Sequence, residues 1–357
     1  MAHRKRIVVA MSGGVDSSTA AALLKREGNE VIGIGLRLPE RLGQHNLRSC
    51  CGIDGMDDAR RVAAKIGIPF YVLNYEKIFQ ENVIDYFCHS YLSGKTPNPC
   101  IECNRVVKFG HLLKLLDSVD AEYVATGHYA NICYDQSRGR FLLKKGLDAE
   151  KDQSYFLYSL SQEQLSRILF PLGGVAKEET RKLAKSFGLE VHDKPGSQDI
   201  CFLGQTDYRS FLAERFPESL QRGAVVNTRG DILGWHQGVI CYTVGQRKGL
   251  GIATGKPLYV LSLDVVTNRV IVGTNEEAMK KKVSITEINW IAFDKNPSSL
   301  ALGVKIRYRQ PEISARIMCK DNDRGEIWLS KPQRGIAPGQ AAVFYDGDVV
   351  LGGGVIE

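Results

Sequence analysis

The strongest chemical signal in the chain is Ser12-Gly13-Gly14-Val15-Asp16-Ser17. It directly follows the apolar run 7–11, which reads as a buried strand. It directly precedes residues 17–27, which read as a helix. Two glycines allow a tight turn whose backbone N–H groups point inward, the hydroxyls add donors, and the helix N-terminus adds partial positive charge. That combination is an anion cradle of the size of a phosphate or pyrophosphate. Asp16 is placed either to help hold Mg²⁺ on the phosphates or to cap the helix. The loop has no lysine, so it is not a Walker A loop. Gly94-Lys95-Thr96 has the end of that pattern but His89 where its first glycine belongs, and Gly249 to Thr254 fails the dinucleotide fingerprint at Thr254. The bland alternative for 12–17 is a plain strand-to-helix turn.

Cysteine supplies the second signal. Cys100 and Cys103 stand in Thr96-Pro97-Asn98-Pro99-Cys100-Ile101-Glu102-Cys103-Asn104, ahead of a predicted helix over 106–116. With Asn104 as its cap, Cys103 would sit near the helix N-terminus, where the dipole favours a thiolate suited to nucleophilic or metal-binding work. Cys201 lies in Gly196-Ser197-Gln198-Asp199-Ile200-Cys201-Phe202, a small-residue segment between helices where a shuttling thiol has room to move. There is no second CxxC, which argues against structural zinc. Cys50 and Cys51 are adjacent and read as packing residues rather than reactive ones. Cys88, Cys133, Cys241 and Cys319 lie in apolar patterns and read as core.

The elements that must position these groups follow from periodicity. Over residues 1–130, strands at 7–11, 31–38, 70–74 and 123–126 alternate with helices at 17–27, 57–66, 76–91 and 106–116, which predicts a parallel sheet covered on both faces. Ligands bind beyond the carboxyl ends of such strands. Helices follow at 162–169, 177–187 and 207–214. From residue 224 onward short strands recur at 224–227, 258–264, 269–273, 304–308, 313–319, 326–329, 341–345 and 349–355, an all-β texture ending in a small barrel. Lys280-Lys281-Lys282 reads as a seam between two β modules. The division expected is 1–205 as an α/β catalytic domain, 206–278 as a small mainly-β domain and 279–357 as a β-barrel.

The 357 residues, 43% apolar and 24% charged, are ordinary for a globular chain of two or three domains. The net charge of +7 is compatible with a polyanionic partner. No apolar run approaches the ~18 residues of a membrane span, and the basic start leads straight into the glycine turn rather than a signal-peptide core. A soluble cytoplasmic protein with reduced thiols is expected. Residues 300–334 hold eight Lys and Arg against four Asp and Glu, with Tyr308 between Arg307 and Arg309, a pattern suited to phosphate contact and base stacking or to a solvated strand face. Lys144, Lys145 and Lys151 form another basic group. His128 reads equally as a base contact and as a satisfied loop histidine. Met11 reads as core.

In this context SGGVDS resembles the PP-loop of the ATP pyrophosphatases, which cleave ATP between its α and β phosphates. Nearly end to end, the chain resembles the bacterial tRNA-specific 2-thiouridylases. The resemblance rests on 12–17, 96–104, Ala125-Thr126-Gly127-His128-Tyr129, 151–157, 197–202, 242–251 (YTVGQRKGLG), Arg307-Tyr308-Arg309 and Ala337-Pro338-Gly339-Gln340. It implies an N-terminal PP-loop domain, a small central domain and a C-terminal β-barrel that contacts tRNA. It implies an ATP site lined by Ala10, Met11, Ser12, Gly13, Gly14, Val15, Asp16, Ser17, Leu36 and Gly127, with Mg²⁺. It assigns Cys103 as nucleophile and Cys201 as bearer of a persulfide, and it places His128, Lys151, Asp152, Gln153, Arg307, Tyr308 and Gln340 against tRNA. A cysteine desulfurase or sulfur-carrier proteins would feed the sulfur. Cys100 departs from the family, many of whose members carry Asp there. Cys100, Cys103 and Cys201 therefore also match the three thiolates that hold a [4Fe–4S] cluster in other thiolases. A different PP-loop ligase acting on a small molecule is the alternative enzyme. It gives no reason for Cys103 with Cys201 or for the β modules. An RNA-binding protein with a degenerate nucleotide site is the third reading, and the intact SGGVDS speaks against it.

Overall fold

The structure, a computed structural model, describes residues 4–39, 53–196, 200–204, 206–252 and 255–357. Cys50 and Cys51 lie outside the described residues, as do Ser197, Gln198 and Asp199 beside Cys201, and Thr254. The chain divides into two units. One comprises Met1–Ile84, Pro99–Gln205 and Asp348–Leu351, the other Asp85–Asn98, Thr206–Gly347 and Gly352–Glu357.

Five parallel strands organise the first unit: β1 (Arg6–Ala10), β2 (Glu30–Arg37), β3 (Phe70–Asn74), β4 (Tyr123–Ala125) and, after the hairpin β5 (Ala130–Asp135) and β6 (Arg140–Lys145), β7 (Ile168–Leu169). Their order is β3-β2-β1-β4-β7, every pairing parallel. Ile7, Val8 and Val9 are buried on both faces of β1, as an interior parallel strand requires. The helices Val15–Arg26 and Ile53–Ile66 bring Ala21, Ala22 and Leu24, and Ala59, Val62 and Ala63, onto a core with Ile7, Val9 and Met11. The chain runs from β1 outward to β3, then returns past β1 to β4. Strand order therefore reverses between β1 and β4, and the loops after both strands meet there.

The strand–helix alternation is as expected, with three differences. Residues 162–169 do not form one helix: Gln162–Ser166 stops at Arg167, and Ile168 and Leu169 pair with buried Val124 and Ala125 as an edge strand. The hairpin β5–β6 is an addition to the elements that periodicity predicts. The helical run begun at Glu76 passes through a π turn at Gln80–Ile84 before Asp85–Leu92.

In the second unit Tyr91 of Asp85–Leu92 stacks on Tyr208 at 4.7 Å between ring centres, and Phe87 meets Phe211 edge-on, so this helix packs on Tyr208–Arg215. A four-stranded sheet follows, built from β8 (Gly223–Val226), β9 (Ile232–His236), β10 (Tyr259–Asp264) and β11 (Arg269–Gly273) in the order β10-β11-β8-β9. The last six strands are β12 (Met279–Trp290), β13 (Ser299–Lys305), β14 (Ile313–Cys319), β15 (Gly325–Arg334), β16 (Ala341–Asp346) and β17 (Val349–Ile356). Their order, β12-β15-β14-β13-β16-β17, closes as β17 returns to β12. Closure leaves the barrel no open edge.

Lys280-Lys281-Lys282 stands at the start of the barrel's first strand, β12, where the pairing with β15 shifts register between Lys280 and Lys282. Residues 304–308 are not a strand, since β13 ends at Lys305 and Arg307 to Arg309 occupy a turn. Of the four cysteines read as core, Cys88 is buried while Cys133, Cys241 and Cys319 are only partly so. No helix among the described residues is long and apolar enough to cross a membrane.

Candidate active site

The 12–17 loop leaves β1 at Met11, whose N–H donates to the Ile34 carbonyl at 2.8 Å and whose side chain is buried. Gly13 has φ +72°, and a side chain there would collide with the Gly55 carbonyl, so both conformation and space require glycine. Extended Gly14 is the N-cap of Val15–Arg26, and no side chain caps that helix. Amides 15, 16 and 17 thus have neither an intrahelical acceptor nor a capping group. Three such donors at a helix N-terminus suit an anion. Ser17 Oγ accepts from the Ser12 N–H at 3.1 Å and lies 3.3 Å from Ser12 Oγ, which pins the turn. Gly127, just past β4, sits on the same helical turn: a Cβ there would be 2.6 Å from both the Asp16 carbonyl carbon and the Ser17 nitrogen. Leu36, at the far end of β2, is buried. The structure therefore gathers 10–17 and Gly127 at the sheet's reversal point.

Asp16 does not cap the helix. Its Oδ1 accepts from Tyr129 Oη at 2.7 Å and from Lys177 Nζ at 2.5 Å. Tyr129 Oη also lies 3.0 Å from Thr180 Oγ1, and burial, reinforced by the Asp16 charge, pushes its phenol above the ordinary range. Lys177 Nζ stands 5.5 Å over the Tyr129 ring. A second lysine reaches the loop: Lys194 Nζ is 2.5 Å from Asp58 Oδ2 and 3.3 Å from the Gly13 carbonyl. Arg181 holds this lysine's segment by donating to the His192 and Lys194 carbonyls. Sequence reading missed Tyr129, Lys177, Thr180 and Lys194 as partners of the loop. The one local signal was Lys177 itself, a cation on the first residue of Lys177–Ser186, where the helix dipole disfavours it.

The cysteine helix begins earlier than expected. Pro99 opens it, as proline suits a first helical position, and the run continues through a π segment, Cys103–His111. Cys100 is therefore the first-turn cysteine, exposed, while Cys103 is half-buried in the second turn. Asn104 caps nothing. It is buried, and its Nδ2 donates to the Phe156 carbonyl at 3.1 Å, anchoring the π segment, a form common near functional sites. Cys201 is half-buried, and its neighbour Phe202 packs edge-on against Phe79, whose helix Glu76–Phe79 also packs on Cys103–His111. Cys100, Cys103 and Cys201 are thiols. Among the described residues no three His, Cys, Asp or Glu side chains gather as metal ligands, so the thiols as placed do not fit a three-cysteine cluster.

His128 lies inside the first unit. Its Nδ1 is 2.6 Å from Thr126 Oγ1, its ring packs on Phe109 and Phe170, and burial, with help from Lys108, holds its pKa well below the usual value. Buried Asp152 accepts from the Gly146 and Ser154 amides at 3.1 Å each, and Gln153 Oε1 accepts from the Tyr129 N–H, so both shape the loop that carries partly exposed Lys151.

In the second unit exposed Arg307 donates to the Arg334 carbonyl, Tyr308 is half-buried, and Arg307, Arg309 and Arg334 line an open cleft of about 580 Å³ with Gln310 and Gln333. Gln340 Nε2 donates to the Thr96 carbonyl at 2.9 Å, and the Thr96 N–H donates to the Pro338 carbonyl at 2.7 Å. The 337–340 turn thus clamps the segment that leads to Cys100 and Cys103.

An amide cradle at the reversal point of a parallel sheet, carried with a β sheet and a closed barrel, defines a nucleotide-binding protein of the PP-loop class. Family models match in three stretches: the tRNA methyl transferase HUP domain over residues 5–205, the tRNA methyl transferase PRC-barrel domain over 209–274 and the aminomethyltransferase beta-barrel domain over 280–356. The tRNA-specific 2-thiouridylase MnmA 2 of Caldanaerobacter subterraneus subsp. tengcongensis is 49% identical over 360 residues, covering 100% of this chain and 99% of its own. The MnmA proteins of Desulfitobacterium hafniense, 49% identical over 366 residues, and Clostridioides difficile, 46% over 358, cover the same shares. The chain belongs to the tRNA-specific 2-thiouridylase family.

Proposed function

We propose that this chain is an ATP-dependent sulfurtransferase that replaces the C2 oxygen of the wobble uridine of tRNA with sulfur. The observation that carries the reading is an intact amide cradle in a chain matched end to end by proteins of that one name. ATP lies with its phosphates on the 12–17 loop, its adenine toward Leu36, and Gly127 closes the other side. Mg²⁺ arrives with ATP as part of the substrate and needs only one or two carboxylates from protein, a role that fits Asp16. The uridine C2 oxygen attacks the α-phosphorus, the bond to the β-phosphate breaks, and pyrophosphate leaves. Loop amides stabilise the charge that gathers on it.

Sulfur comes from a persulfide on Cys201, loaded by a cysteine desulfurase or a carrier protein. Its terminal sulfur attacks C2 and expels AMP. The Cys103 thiolate then attacks Cys201 Sγ, releases 2-thiouridine and leaves a Cys103–Cys201 disulfide, which an external dithiol reduces. The wobble base leaves the anticodon stack to react, as base-modifying enzymes require. Within the division 1–205, 206–278 and 279–357, Lys151 and the Arg307–Tyr308 turn serve as tRNA contacts, whereas His128, Asp152, Gln153 and Gln340 act by shaping the loops beside them. Such an enzyme works in the cytoplasm. Mass spectrometry of nucleosides from unmodified tRNA, incubated with the chain, ATP, desulfurase and cysteine, should find 2-thiouridine. Its absence under those conditions would remove the assignment.

A further inference from the structure

ATP brings several negative charges to a loop that contains a carboxylate and no lysine. A helix N-terminus offers only about half a positive charge, and Asp16 stands in the same first turn. The deficit is met from elsewhere in the chain. Lys177 Nζ is 2.5 Å from Asp16 Oδ1, largely buried at 15% side-chain exposure, so its ammonium already stands at the edge of the cradle. Its placement is specified on every side. Its backbone N–H donates to Asp148 Oδ2 at 3.0 Å, which satisfies one amide of its own helix, and Tyr129 lies under its Nζ while donating to the same Asp16 oxygen. Thr180, one turn on, adjoins the Tyr129 hydroxyl. A lysine on the first residue of a helix opposes that helix's dipole, and the arrangement holds it there facing the loop.

We propose that Lys177 binds the pyrophosphate half of ATP and stays with it as the leaving group, while Asp16 holds it in position when the loop is empty. The proposal rests on ATP being cleaved between its α and β phosphates at this loop. Lys177 thereby supplies, 161 positions from Asp16, the cation that other phosphate loops carry within themselves. A salt bridge that served only to stabilise the fold would be indifferent to which part of the nucleotide is bound. Lys177 instead discriminates pyrophosphate from AMP.

The test uses the full chain with inorganic pyrophosphate and AMP as separate probes. Lys177→Gln should weaken pyrophosphate binding by about ten- to a hundredfold, the loss of one charge-assisted contact, and leave AMP binding within about twofold. Lys177→Arg should recover most of the pyrophosphate affinity. If both probes weaken equally, or neither does, the proposal is wrong. Should Lys177→Gln not fold, lysine acetylation of the unaltered chain decides: pyrophosphate should shield Lys177 and AMP should not, and labelling that ignores pyrophosphate overturns the proposal. Unaltered protein that binds neither ATP nor pyrophosphate would overturn the ATP-cleavage reading as well.

Discussion

A methyl group added at Gly127 would sit 2.6 Å from backbone atoms of Asp16 and Ser17, which cannot step aside as a side chain can. Gly127→Ala should therefore cost about 1–3 kcal/mol and weaken ATP binding, with tRNA affinity kept. Thermal unfolding and ATP titration check both halves, and unaltered ATP affinity would take Gly127 out of the site. Cys103→Ala should abolish thiolation while tRNA binding survives, and thiolation by the variant would end its role as the resolving thiol. The loop was legible in the sequence as a glycine turn between strand and helix because its residue types, spacing and neighbours lie within a few residues, whereas the cysteines showed their spacing but not the start of the helix that carries them. Lys177, Tyr129 and Lys194 were not, because each reaches the loop only through the folded sheet. A lysine 161 positions from Asp16 carries no local mark of that contact beyond its odd place on its helix.

Strand positions were legible because short runs rich in β-branched and aromatic residues, bounded by turn residues, mark strands whether or not they are buried, and Phe70–Asn74, Arg269–Gly273 and Ile313–Cys319 fall where those runs stand. Helix starts were read less well. Asn104 is a good cap by type, yet the helix already begins at Pro99, and tertiary contact with Phe156 takes its side chain inward. The same kind of contact redefines Gln340, which the family resemblance sets against tRNA and which bonds the Thr96 carbonyl here. Gln340→Ala should destabilise the chain by about 0.5–1.5 kcal/mol and slow thiolation by loosening the approach to the cysteines, with tRNA affinity within about twofold. A variant that loses tRNA affinity and keeps its stability would instead make Gln340 a direct contact. The two β-modules were legible as texture, but the extra strand β7 and the hairpin β5–β6 were not, since both are defined by the strands they pair with.

For the whole molecule, charge and burial make opposite demands that can be measured separately. The net charge of +7 and the Arg307 turn imply a salt-dependent hold on tRNA. Arg307→Ala should weaken binding and lower the slope of log affinity against log salt by about one, and an unaltered slope would remove Arg307 from the footprint. Burial works on the histidines. His128, His111 and His236 all have pKa values lowered chiefly by burial. Well above pH 6.5, the ordinary histidine value, they are neutral in folded and unfolded chains alike, so the stability they permit is fully present. As pH falls below that, the unfolded chain takes up protons that the folded one refuses, and stability drops, for fully buried His128 by up to about 1.4 kcal/mol per pH unit. His128→Gln should flatten this fall in urea unfolding followed between about pH 7 and pH 5.5. A slope as steep as that of the unaltered chain would mean that His128 is reached by protons in the fold. Whether the cradle cleaves ATP on behalf of tRNA thiolation is read out by pyrophosphate release from ATP with and without unmodified tRNA. Release should be slow with ATP alone and strongly stimulated by tRNA. Release that ignores tRNA, or needs a small acceptor in its place, would contradict that coupling.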